Sequence, residues 1–317
     1  MVKVLITGGA GFIGSHLAHA IKDSFEVTIV DDLSLGTKDN IPDGVTFYHM
    51  PAGNIELRDE NYDVVFHLGI PSSSPMYKEK PYLVARAVND FQFILEYCRR
   101  NDAILVYAST SSLYNGNPVP YREDMPIHVT DFYTEARYYM ERLAQLYNKL
   151  YGLSSIGLRF FSIYGERELH KRRYANLVSQ FIWKMTKGES PEIYGDGTQT
   201  RDFTYVGDAV MALFKAMRFM ITHSNVCEIF NVGTGKSYSL NHLVDLINDE
   251  LGTCIKPKYV PNPIKNYVQH TQADTRKAKY ILHFVARTKL EEGIKKIKRH
   301  IKNVKSNPKT SHLLQSA

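Results

Sequence analysis

The sequence predicts an α/β protein, a doubly wound parallel sheet with a smaller, discontinuous second domain. Three observations carry that expectation. Short aliphatic runs recur between stretches of helical periodicity, the pattern of parallel strands joined by crossover helices. The first run opens directly into a glycine-punctuated turn and an apolar helix, an arrangement that aims helix N-terminal amides at an anion. Beyond Gly165 the alternation loosens, and Pro191, Gly195, Gly197, Gly233, Gly235, Pro257, Pro261 and Pro263 break the chain into pieces set beside the main sheet.

The strand-like runs are Val2 to Ile6, Glu26 to Val30, Thr46 to His49, Val64 to Leu68, Ile104 to Ala108, Ser155 to Phe161 and Glu228 to Val232. The first leads into Thr7-Gly8-Gly9-Ala10-Gly11-Phe12-Ile13-Gly14. In this reading Gly9 permits a tight turn, Gly11 lets backbone approach a pyrophosphate, and Gly14 lets the helix pack against the strand. Gly8, Gly11, Phe12, Ile13 and Gly14 are therefore candidate cofactor-binding residues. The second run ends at Asp31 and Asp32, where a carboxylate can accept hydrogen bonds from adenosine ribose hydroxyls. NAD is the expected cofactor. The 2′-phosphate of NADP would meet these carboxylates, and the chain offers no Arg or Lys after them until Lys38.

The run Ile104 to Ala108 ends in Ser109-Thr110-Ser111-Ser112-Leu113-Tyr114, a hydroxyl cluster at the carboxyl end of a strand, where open α/β sheets bind ligands. The next helix is expected to bury Ala136, Met140, Leu143, Tyr147 and Leu150, which sets Tyr133 and Arg137 one turn apart on one side. A phenol is a poor base at neutral pH, and a fixed cation beside it favours its anionic form. Tyr133 can then exchange a proton with a sugar hydroxyl while Thr110 holds the same oxygen. Among 21 tyrosines a Tyr/Arg spacing alone says little; its position after the glycine turn and hydroxyl cluster is what gives it weight.

The 317 residues are 44% hydrophobic, and the chain has no apolar stretch approaching twenty residues, so no membrane span is expected. With no leader-like segment before the first strand, a cytoplasmic protein is expected. The net charge of +6 matches Thr288 to Ala317, where eight basic residues stand against two Glu. Leu290, Ile294, Ile297, Ile301 and Val304 recur there at helical spacing, which describes an amphipathic terminal helix with a solvated basic face. Nucleic acid is not an expected partner. Residues from Ser306 onward are expected to fray. Cys98, Cys227 and Cys254 are scattered, support neither a disulfide framework nor a zinc site, and are expected to be buried thiols. No metal is expected.

Several long motifs in one order make the chain resemble the extended short-chain dehydrogenase/reductases, specifically the nucleoside-diphosphate-sugar 4-epimerases and dehydratases. They are TGGAGFIGSHL at the start, Val30 to Ser34, Val65 to Leu68, Tyr107 to Tyr114, Leu158 to Gly165, Ile193 to Val206, Asn231 to Gly235, and Ala273-Asp274. The resemblance implies a Rossmann cofactor domain (1–164 plus 202–232), an NDP-sugar-binding domain (165–201 plus 233–305), a UDP-sugar substrate and a homodimer formed through the Tyr133 helix. It implies Tyr133 as acid/base, Thr110 as partner of the sugar O4 and Arg137 in place of the usual lysine. Asn54, Ile55 and Leu68, with Tyr133 and Arg137, are implied on the cofactor. Thr110, Ser162, Tyr194, Arg201 and Lys265 are implied on the substrate, with Arg201 on its pyrophosphate.

The chain departs from the family pattern at Arg137, at Ser162 where Asn is usual, at Lys265 where the basic residue is displaced by one, at Asn54 where Asp is usual, and at Ala87 to Phe91, which replace an NVxGT signature. Related dehydratases and decarboxylases carry carboxylates just after the Thr; Ser111 and Ser112 stand there instead and cannot replace them as proton donors. A 4-epimerase is the resulting expectation. The alternatives are another NDP-sugar oxidoreductase, dehydratase or decarboxylase, or a nucleotide-binding or RNA-associated protein with weak turnover.

Overall fold

A computed structural model of the chain describes residues 1–264 and 266–306. All seven strand-like runs are present and join one sheet: β1 (Lys3–Thr7), β2 (Glu26–Asp31), β3 (Thr46–His49), β4 (Val64–His67), β5 (Ile104–Thr110), β6 (Ser155–Phe160) and β7 (Cys227–Val232). The order is β3-β2-β1-β4-β5-β6-β7, and every pairing is parallel. Strand order reverses between β1 and β4, so a crevice opens at their carboxyl ends.

The helices are α1 (Phe12–Ile21), α2 (Ser74–Glu79), α3 (Leu83–Asn101), α4 (Phe132–Tyr151), α5 (Leu177–Met185), α6 (Val206–Thr222), α7 (Leu240–Leu251), α8 (Arg276–Ile281) and α9 (Leu290–Ser306). The two-residue period of a strand divides them into layers. Val4 and Ile6 of β1 pack with Leu17 and Ile21 of α1 and Leu213 and Met217 of α6. Leu5, between them, faces the opposite layer of Phe91, Ile94 and Leu95 from α3 and Met140 and Ala144 from α4. Each such buried side chain stabilises by about 1.5–3 kcal/mol, and a one-residue slip of β1 would exchange the two faces.

A smaller part gathers α5, α7 and α9 around Phe181, Ile182, Leu243, Ile247, Ile294 and Ile297. Short ladders complete it: Glu192–Tyr194 beside Lys258–Val260, and Thr200–Arg201 beside Tyr238–Ser239. All five apolar positions expected to face inward on α9 are buried. Lys295, Arg299 and Lys302 are exposed, and the partly exposed Lys296 and Lys298 pair with Glu292 and Glu250. The tail's charge is thus largely the solvated side of a core helix.

Three expectations are corrected. Leu150 is 58% exposed, because the inward face of α4 runs through Ala136, Met140, Ala144 and Tyr147 and leaves its last turn outside. Of the cysteines only Cys98 is buried; Cys227 is partly exposed and Cys254 exposed. The tight turn of the glycine loop belongs to Gly8, at φ +70°, whereas Gly9 packs against Ile29. Among the described residues no helix is long and apolar enough to cross a membrane. Lys265 and the tail after Ser306 lie outside the described residues.

Candidate active site

A groove of about 500 Å³ runs along the carboxyl ends of the strands. One end is the glycine loop. A Cβ on Gly8 would lie 2.5 Å from the backbone of Gly69, and one on Gly14 2.2 Å from the carbonyl oxygen of Gly8, so only glycine allows the β1 turn and α1 to close this tightly. No side chain caps α1. The first-turn N–H groups of Phe12, Ile13 and Gly14 are therefore left for a ligand in the groove that these residues line.

Asp31 is almost wholly buried, and its carboxylate accepts N–H from Ala10 (3.0 Å) and Leu33 (2.8 Å). Burial raises its pKa, while those two amides pull the other way. Asp32 is more open. It accepts N–H from Ser34 (2.9 Å) and pairs with Arg86 of α3. Burial alone would raise its pKa, but the bonds from Ser34 and Arg86 outweigh that and hold it below the usual value.

At the other end, β5 delivers Thr110 and α4 delivers Tyr133. Thr110 caps a short 3₁₀ turn, Ser111–Tyr114, by accepting the Ser112 N–H. The first turn of α4 is fixed by a reciprocal cap: Asp131 accepts the Thr134 N–H (2.8 Å), and the Thr134 hydroxyl oxygen accepts the Asp131 N–H (3.0 Å). Ser74 donates to the same Asp131. Two turns after Tyr133, Glu141 binds Arg159 of β6 through two hydrogen bonds (2.9 and 2.7 Å) and accepts from Ser109 of β5 (2.6 Å), fastening α4 to the sheet below the site.

Arg137 is 4% exposed. Its guanidinium donates to the carbonyls of Ala108 (2.8 Å) and Pro71 (3.1 Å) and stands 5.1 Å from the centre of the Tyr133 ring. Tyr77 of α2 meets that ring edge-on at 5.6 Å. Burial lifts the Tyr77 hydroxyl to about 12, although Arg137 pulls it down. His67, wholly buried beneath, is lowered to about 3 by burial and the charge of Arg137.

Above the groove, a basic strap (Leu169–Tyr174) crosses with Lys171 and Tyr174 in the lining. Its Arg173 (2.8 Å) and Tyr174 (2.7 Å) both bind Glu79 of α2, bridging the two sides of the mouth. Sequence reading missed Arg86, Lys80 and Lys171, because each comes from a segment far along the chain from the motif it serves.

A family model described as NAD dependent epimerase/dehydratase family matches residues 4–233. The chain belongs to that family. The chain is 36% identical to a provisionally named UDP-glucose 4-epimerase of Methanocaldococcus jannaschii, over 95% of this chain and 98% of that one. It is 31% identical to UDP-glucuronic acid decarboxylase 1 of Danio rerio, over 93% of this chain and 71% of that one. Among solved structures it superposes on the Thermotoga maritima UDP-glucose 4-epimerase bound to UDP-glucose with a TM-score of 0.88 at 29% identity, covering 95% and 99% of the two chains.

Gly8, Gly11, Phe12, Ile13, Gly14, Asp31, Asp32, Leu68, Thr110, Tyr133, Arg137 and Ser162 all meet in the one groove of this family member. Asn54, Ile55, Tyr194 and Arg201 do not line it. Asn54 is exposed and Ile55 is fully buried in the core. Tyr194 is exposed. The guanidinium of Arg201 donates to the carbonyls of Thr200 (2.8 Å) and Gln269 (3.2 Å) and stacks on Tyr267 at 5.2 Å. Ser162 has φ +36°, a conformation Asn tolerates better than Ser, which gives the family's usual residue there a backbone reason.

The groove fits a dinucleotide. Its glycine turn has no room for a Cβ, its helix end offers free amides, and the buried Ser73 Oγ and Arg137 Nε have no partner among the described residues.

Proposed function

We propose that this protein is an NAD-dependent NDP-sugar 4-epimerase, of the UDP-glucose 4-epimerase kind, acting through a transient 4-keto sugar. One observation carries the choice of reaction. Asp31 and Asp32, at the adenosine end, are the only carboxylates among the described lining residues. Around Tyr133 the lining offers hydroxyls and cations and no acid to expel water or assist decarboxylation, although a decarboxylase is among the relatives. Epimerisation needs less: one group to take and return a proton, one to hold the oxygen, and room for the sugar to turn.

The chain's own residues supply that set. Tyr133 takes the proton of the 4-hydroxyl and later returns it, while Thr110 hydrogen-bonds the same oxygen. Arg137 places a permanent positive charge 5.1 Å from the centre of the phenol ring. Gly8, Gly11 and the first turn of α1 would hold the pyrophosphate of NAD, and Asp31 and Asp32 its adenosine ribose. When bound, the nicotinamide supplies reversible hydride acceptance.

Incubation with UDP-glucose and related NDP-sugars, with product separation, tests the reading: the 4-epimer is expected, and a dehydrated or decarboxylated sugar would refute it. Tyr133→Phe should lower kcat by about 10²–10⁴-fold while the dinucleotide stays bound. Near-normal turnover would remove the phenol from its role.

A further inference from the structure

Tyr133 is the second residue of α4. Helical side chains lean back over the turn that precedes them, and at this position no such turn exists to carry the ring. From the other side Arg137, one turn on, sets its guanidinium 5.1 Å from the ring centre. The missing wall comes from α2. Tyr77 meets the Tyr133 ring edge-on, with ring centres 5.6 Å apart and planes inclined at 61°.

Helix α2 is held at both ends. Ser74, at its start, donates to the Asp131 carboxylate that caps α4, and Glu79, at its end, accepts from Arg173 and Tyr174 of the strap. Between them Tyr77 is fully buried and packs in the cluster that holds Leu83, Ala87, Phe91 and Met140, whereas Tyr133 is only partly buried against that cluster. Tyr77 is thus a fixed surface and Tyr133 the ring that rests on it. A buried tyrosine hydroxyl ordinarily finds a hydrogen-bond partner, and that of Tyr77 has none among the described residues. Burial also lifts it to about 12, so it keeps its proton at neutral pH. What Tyr77 brings to the site is its ring.

We propose that Tyr77 is a positioning residue for Tyr133: its ring closes the open side of the α4 first turn and fixes the plane from which the Tyr133 hydroxyl meets the substrate alcohol. The inference rests on the assignment of Tyr133 above and adds what aims it. Proton exchange needs the two oxygens within hydrogen-bond reach, and a misplacement near 1 Å costs about 10²-fold in rate.

The test is steady-state turnover of UDP-glucose and related NDP-sugars by the full chain and by Tyr77→Leu, Tyr77→Met and Tyr77→Phe, with retained NAD measured on each and every assay run below the melting temperature. Tyr77→Leu should lower kcat by about ten- to a hundredfold and leave KM and retained NAD within about twofold of wild type. Tyr77→Met fills the space with a flexible chain and should lose kcat to a like extent, which keeps the measurement open where the leucine variant does not fold. Tyr77→Phe returns the ring without the hydroxyl and should recover kcat to within about threefold of wild type. Undiminished kcat in the leucine or methionine variant, a phenylalanine variant as slow as either, or a fall in kcat matched by an equal loss of retained NAD would overturn the inference. A wild type that epimerised none of the sugars would overturn the reaction reading beneath it.

Discussion

Arg137 is buried with no carboxylate partner among the described residues, and its two hydrogen bonds go to backbone carbonyls from two neighbouring strand segments, Ala108 within β5 and Pro71 after β4. A lysine in its place carries a compact ammonium that cannot span both in the same plane. Arg137→Lys is therefore expected to orphan one buried carbonyl, a cost of about 1–3 kcal/mol. Thermal melting and kcat should fall together; a variant more active than wild type would show that the staple is dispensable. The Tyr133 and Arg137 spacing is legible in the sequence because both sit on one helix. Arg86, which pairs with Asp32, and the carbonyls beneath Arg137 are not, since they lie more than twenty residues away in the chain and meet their partners only in the fold.

Helix α4 carries the phenol in its first turn, where a helix frays most readily, so its cap matters more than its length. Asp131→Ala removes the acceptor for the Thr134 N–H and should cost about 0.5–2 kcal/mol. Because Tyr133 lies two residues on, kcat should fall more than KM rises; an unchanged kcat would show that the first turn holds without its cap. The outward side of α4 presents Tyr139, Leu146 and Leu150 to solvent, and α3 presents Phe93. Such an apolar face suits pairing with a second copy of the chain. Light scattering is then expected to give a dimer for the wild type and a monomer for Leu146→Glu/Leu150→Glu. The long elements are read readily from periodicity. The two-residue ladders beyond Gly165 are not, because a pairing that short has no pattern of its own and is set by what packs around it.

Across the whole molecule, buried histidines set the response to acid. His16 is lowered to about 4, chiefly by burial, and His67 to about 3. Unfolded, both titrate near 6.5, so below that pH the unfolded chain binds protons that the folded one refuses. Their stabilising effect is complete above pH 6.5 and is lost as pH falls toward 4, at about 1.4 kcal/mol per pH unit for each histidine. Urea midpoints should drop between pH 7 and 5, and His16→Gln should flatten that drop; an unchanged slope would assign the acid response elsewhere. The fold class and half of the site are legible at this scale in the order of the motifs. The motif around Arg201 and Asp202 misleads, because its acid is structural. Read without the resemblance it suggests a surface ion pair, yet Asp202 is wholly buried and accepts N–H from Thr234, Gly235 and Ala273. Two separate passes of the chain, at Thr234–Gly235 and at Ala273, are gripped by that one carboxylate, which fastens this edge. Widening to admit a long ligand falls to the mouth beside Glu79, where the contacts to Arg173 and Tyr174 are exposed and cheap to release.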